Sequence, residues 1–80
     1  MIPQVGIQKL LLAIYQLSRN GQPVHVMELV SHLNSSRQNV AMTLSRAKAQ
    51  GFVYNPQRGY WKLTDSGLRV VEEILRLVKT

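Results

Sequence analysis

Apolar residues recur along the chain at changing intervals, and the changes divide it into elements. Ile7, Leu10, Leu11, Ile14 and Leu17 repeat at helical spacing, predicting a helix over Ile7–Arg19 with that stripe turned inward. Asn20-Gly21 supplies its stop, because a helix end favours a left-handed residue. Leu12 and Tyr15 lie beside the stripe, so this helix is apolar over more of its circumference than one small core needs. Gln22-Pro23 reads as a turn and Val24-His25-Val26 as a very short strand, being β-prone and preceded by proline. A second helix is expected over Met27–Leu33, with Met27, Leu29, Val30 and Leu33 inward, followed by a turn at Asn34-Ser35. The stretch Leu33–Val53 then holds a third helix: Val40, Leu44 and Ala47 recur on one face, Ser35 or Ser36 caps the start, and Gly51 ends it.

Beyond Gly51 the spacing changes to that of strands. Phe52-Val53-Tyr54 and Tyr60-Trp61-Lys62-Leu63 are β-prone runs separated by Asn55-Pro56-Gln57-Arg58-Gly59. Early proline and late glycine suit a turn that closes through a left-handed residue, so the pair reads as a β-hairpin. On a strand Tyr60 and Trp61 face opposite sides, and Trp61 is assigned to the core. Thr64 caps a last helix over Asp65–Val78, with Asp65 where the helix dipole favours a carboxylate. This helix carries two apolar stripes, one of Leu68, Val71, Leu75 and Val78 and another of Val70, Ile74 and Leu77. One core needs one stripe. The excess, with Leu12 and Tyr15, points to a homodimer paired through Leu12, Tyr15, Val70, Ile74 and Leu77.

The expected order is therefore helix, short strand, helix, helix, strand, strand, helix: an α+β chain, mainly α, forming one domain over residues 1–80. Two short helices joined by a tight polar turn, the second one basic, make a helix-turn-helix. Three segments carry a further resemblance: Ser36-Arg37-x-x-Val40-x-x-x-Leu44, the exit Gln50-Gly51-Phe52-Val53, and Tyr60-x-x-Leu63-Thr64-x-x-Gly67. Together they resemble the winged helix-turn-helix domain, and the last pattern is similar to the wing-to-helix junction of MarR-type transcriptional regulators. The resemblance implies a hairpin wing that reaches the minor groove of DNA and a third helix that enters the major groove. Full-length MarR-type proteins are longer and carry more helices, so no effector-binding part is inferred from this chain.

Charge sharpens that picture. The net charge is +6 with a pI near 10.4, large for 80 residues, which favours a polyanionic partner. No Asp or Glu falls between Leu29 and Thr64, whereas Arg37, Arg46, Lys48, Arg58 and Lys62 all do. Basic charge is thus concentrated on the segment that the motif assigns to double-stranded DNA. At the start of the third helix, Arg37, Gln38 and Asn39 carry groups that match guanine and adenine edges. Gln38 and Met42 point opposite the buried stripe. Ser35 and Ser36 join the DNA-binding set at that helix start, while Thr43, Arg46 and Lys48 suit phosphates, which fix register without reading sequence. Arg58 at the hairpin tip suits the minor groove, and Lys62 the backbone beside it.

Other chemistry is not expected. His25 and His32 stand without partners at ligand spacing, cysteine is absent, and no nucleophile–base set or phosphate loop can be drawn, so no metal, cofactor or enzymatic activity is inferred. No secretory signal or apolar run of membrane-spanning length is visible. The expectation is a soluble, cytoplasmic protein associated with the nucleoid, most simply a small homodimeric transcriptional regulator. An architectural or replication and partition role, or a winged-helix adaptor that binds protein only, uses the same module.

Overall fold

Helix α1 (Val5–Leu17) is the element on which the others pack: α2 (Val26–Leu33), α3 (Arg37–Ala49), α4 (Asp65–Val78) and the strand β3 (Tyr60–Leu63) all lie against it. Its Ile7, Leu10, Leu11, Ala13 and Ile14 are buried. The computed structural model describes residues 2–78, so Met1, Lys79 and Thr80 of the expected 1–80 domain lie outside the described residues. The helix both starts and stops earlier than its pattern suggests. Ser18 is already extended, its hydroxyl donates to the Gln22 carbonyl at 2.9 Å, and a 3-10 turn through Arg19–Gly21 takes Asn20 and Gly21 into the left-handed region.

Strand β1 (Val24–His25) is short because Val26 already begins α2. Including Val26 changes which face of α2 is inward. Leu29 is buried, Val26, Val30 and Leu33 pack partly against the core, and Met27, expected inward, is 47% exposed. Positions 26, 29, 30 and 33 form one stripe at helical spacing, and Met27 lies a third of a turn away from it.

The three strands form an antiparallel sheet in the order β1-β3-β2, with β2 at Val53–Gln57. Val24 pairs with Trp61, His25 with Tyr60, Val53 with Leu63 and Tyr54 with Lys62. The segment expected as a five-residue loop is mostly strand. Gln57 pairs with Tyr60, leaving Arg58-Gly59 as the turn, with Gly59 left-handed at φ 85°. The register slips between Tyr54 and Gln57, so Asn55 and Pro56 together oppose Trp61. Proline is tolerated there because β2 is an edge strand and the bulge demands no ladder donor from it. Tyr60 and Trp61 are both half-buried, and Trp61 packs against the core as expected.

The junctions before and after this hairpin are tied together. Thr64 N–H donates to the Phe52 carbonyl at 3.0 Å, and the Thr64 hydroxyl donates to the Gly51 carbonyl while accepting Gly67 N–H at 3.1 Å. Thr64 thus caps α4 as expected. Gly67 sits directly on the Phe52 carbonyl: a Cβ would overlap that oxygen and press on Leu63 Cδ2 at 3.3 Å. This approach fixes the rotation of α4. With residue 67 inward, positions 70, 71 and 74 follow, and Gly67, Val70, Val71 and Ile74 are the buried ones. The core-facing side therefore straddles the two apolar stripes. Val70 (6% exposed) and Ile74 (8%), assigned from the sequence to a second subunit, are used within this one.

Gly67→Ala should lower stability by about 2–3 kcal/mol, because backbone rather than a flexible side chain must yield. Gly6→Ala, in α1 with open space around it, should instead stabilise by roughly 0.5–1 kcal/mol. Chemical denaturation of both variants measures the contrast.

Candidate nucleic-acid interface

Helix α3 is held at both ends by backbone hydrogen bonds. At its start the Ser36 hydroxyl accepts Asn39 N–H at 3.1 Å, so of the two serines Ser36 is the cap. The turn before it is also closed by backbone: Asn34, left-handed at φ 50°, donates to the Ser31 carbonyl, and Ser35 N–H donates to that of Val30. At the other end Gly51 N–H donates to Lys48 and Phe52 N–H to Ala47, with Gly51 at φ 81°. Both pairs follow the Schellman pattern of helix termination. Val40, Leu44 and Ala47 are buried as expected.

Apart from half-buried Thr43, the rest of α3 faces outward. Gln38, Met42 and Ser45 point opposite the buried stripe, and all three are exposed. A groove runs along each flank. The first, about 260 Å3, lies between α1 and α3 and is lined by Lys9, Asn34, Ser35, Asn39 and Thr43 among others. The second, about 460 Å3, lies between α3 and the wing and is lined by His25, Arg37, Ala41, Arg58 and Trp61 with their neighbours. No acidic side chain lines either one. Among the described residues, the exposed guanidinium groups of Arg37, Arg46 and Arg58 have no hydrogen bond or ion pair.

Of the sequence set, Ser35 and Asn39 thus line one flank of α3, Arg37 and Arg58 the groove on the other, and Ser36, Gln38, Met42 and Arg46 are exposed. Three other residues from the sequence set are placed differently. Thr43 is half-buried, and its hydroxyl donates to the Asn39 carbonyl at 2.9 Å. Lys48 donates to Asn55 Oδ1 at 3.2 Å, bridging α3 to β2. Lys62 does not join the α3 surface; it lines a third groove with Tyr15, Asp65 and Leu68.

Lys9 and His25, both outside that set, are among the residues that line the flanking grooves. Lys9 lies on α1, outside the acid-free window, and nothing in its local pattern distinguishes it. His25 had a local signal. Its Nδ1 accepts Met27 N–H at 3.1 Å, and Glu28 Oε2 accepts His25 N–H at 2.9 Å. This is a capping box, with histidine in the place usually taken by serine or threonine three residues before the glutamate. His32 contacts Gln16 across α1 and α2 at 3.0 Å. Among the described residues, no group of three or more His, Cys, Asp or Glu is placed to hold a metal, and no helix is long and apolar enough to cross a membrane.

The sequence matches no protein-family model and no curated protein. Several solved structures are similar to it, two of them as follows. The transcriptional regulator Tm0710 from Thermotoga maritima aligns over 91% of this chain at 23% identity and TM-score 0.76. The chain spans about half of that protein's length, 52%. AF1382 from Archaeoglobus fulgidus aligns over 92% of this chain and 84% of its own at 21% identity and TM-score 0.77. The fold is a winged helix-turn-helix, as the three sequence segments imply.

Ser36→Ala should cost about 1 kcal/mol of stability through loss of the α3 cap. Ser35→Ala should change stability by less than about 0.5 kcal/mol. Thermal unfolding of the two variants separates them.

Proposed function

We propose that this protein is a sequence-specific binder of double-stranded DNA, acting as a small transcriptional regulator. The observation that carries the reading is that exposed α3, the Arg58 turn and the grooves on both flanks of α3 carry no acidic residue. A major groove admits a helix of this kind and presents each base pair differently. Arg37, Gln38 and Asn39 at the N-terminal end read base edges. Met42 lies against bases or sugars, while Ser35, Ser36 and Arg46 grip phosphate. Arg58 reaches the adjacent minor groove, whose negative potential favours arginine. Lys48 is a supplementary phosphate contact from its bridge to Asn55, and Thr43 and Lys62 are peripheral. The resemblance to a structure described as a transcriptional regulator is consistent with this role.

A mobility-shift titration on random and selected duplexes at several salt concentrations tests the reading. Affinity should fall steeply with salt, through counterion release. Arg37→Ala and Gln38→Ala should each lose roughly 1–3 kcal/mol of discrimination between selected and random DNA. Arg46→Ala should weaken both duplexes alike and lower the salt slope by about 1. Binding without sequence preference would instead indicate an architectural or replication role. No binding at low salt would indicate a protein adaptor.

A homodimer is part of the same proposal. With Val70 and Ile74 occupied in the core and Leu12 packed partly against it, the pairing face reduces to Tyr15 (43% exposed) and Leu77 (59%), together with exposed Leu68 and Val78. Two subunits joined there would address half-sites about one helical turn apart. Sedimentation at micromolar concentration should show a dimer, and Tyr15→Asp with Leu77→Asp should yield a folded monomer. A monomeric wild-type protein would remove this part.

A further inference from the structure

The groove between α3 and the wing contains a donor that the contacts above do not use. His25 lines it together with Arg37 on α3 and Arg58 on the turn, and its two ring nitrogens have different surroundings. Nδ1 accepts Met27 N–H at 3.1 Å. A backbone amide only donates, so Nδ1 is unprotonated and the neutral ring carries its proton on Nε2. The ring is held in place by this cap and by an edge contact with Tyr60, centroids 5.0 Å apart at 78°. Nε2 faces the turn, where a Cβ on Gly59 would stand 3.3 Å away. Among the described residues Nε2 has no hydrogen-bond partner, and the side chain is half-buried.

We propose that this groove is a phosphodiester site, in which His25 Nε2–H donates to the DNA strand running between α3 and the wing. The inference rests on the DNA-binding reading above. If α3 occupies a major groove and the Arg58 turn the adjacent minor groove, the sugar–phosphate strand dividing those grooves must pass through the gap between them. That gap measures about 460 Å3, is flanked by two arginines and is lined by no carboxylate. His25 adds a directed donor there without adding charge, because its other nitrogen is committed to the helix cap. The wing turn is tied to the start of α2, just after His25, by the Val26 N–H bond to the Gly59 carbonyl at 2.8 Å.

Neutrality gives the contact a signature that an arginine lacks. His25→Asn keeps an acceptor for the cap and shortens the side chain, so that its donor no longer reaches the groove. At pH 8 it should bind selected and random duplexes roughly three- to tenfold more weakly than wild type, with the same salt slope and nearly the same unfolding temperature. Arg46→Ala, run beside it, should lose both affinity and slope. If His25→Asn binds like wild type at every salt concentration while Arg46→Ala is weakened, the phosphodiester site is refuted and the DNA-binding reading stands. If wild type binds no DNA, both fall. Imidazole nitrogen NMR of the wild type is independent of any variant's folding. It should show the Nε2–H form in the free protein, with that proton shifted and slowed in exchange when duplex is added. An Nδ1–H form, or an Nε2 signal that DNA leaves unmoved, overturns the proposal.

Discussion

The fold turns on the close approach of Gly67 to the carbonyl of Phe52. That oxygen is reached by Thr64 N–H and covered by the bare Cα of Gly67, while the Thr64 hydroxyl bridges Gly51 and Gly67. The same few atoms end α3, begin β2, end β3 and begin α4. In a domain this small the hydrophobic core alone supplies little surplus stability. A knot of backbone hydrogen bonds at the point where chain segments diverge therefore has a large share in deciding their relative directions. The wing cannot swing away from α3 without breaking it, and α4 cannot rotate about its axis without driving residue 67 off the carbonyl.

That rotational constraint explains what periodicity leaves ambiguous. On α4, two apolar stripes are equally good helical faces, and spacing alone cannot say which one packs. The backbone contact at Gly67 decides in favour of the sector between them, so Val70, Val71 and Ile74 go in and Leu68 and Leu77 stay out. The same logic applies to α2. Counting from Met27 makes Met27 inward, whereas the Glu28 capping box starts the helix at Val26 and turns Met27 to solvent. In both helices the apolar residues were visible, and the phase was set by polar and backbone contacts outside the apolar pattern.

Element order, the α3 core stripe, the Thr64 cap and the left-handed positions at Asn20, Gly51 and Gly59 were legible because each depends on near neighbours in sequence. The extent of the hairpin strand is not legible for a different reason. Pro56 argues against strand only where its missing N–H is needed, and whether β2 is an edge strand depends on β1, far away in the chain. The candidate surface followed the same division. Arg37, Gln38, Asn39, Met42 and Arg46 could be placed from helical phase alone. Lys62 could not, since its strand face is set by the sheet, and Lys9 enters the surface only because α1 packs beside the α2–α3 turn.

Helix α3 separates the residues that hold it from those that are free to contact a ligand. Its ends are secured by the Ser36 hydroxyl, the Gly51 termination and the Lys48–Asn55 bridge, and its inner face by Val40, Leu44 and Ala47. Thr43 is spent on the Asn39 carbonyl. Arg37, Gln38, Met42, Ser45 and Arg46 make no side-chain hydrogen bond or ion pair among the described residues. Substitutions at those positions are accordingly cheap in folding free energy, since exposed sites without special contacts seldom matter by more than about 0.5 kcal/mol. A scaffold so arranged can change what it recognises without changing how it folds. His25 departs from that separation, because its ring caps α2 with one nitrogen and faces the wing groove with the other. A change at this residue moves stability and the groove surface together, unless the replacement preserves the cap.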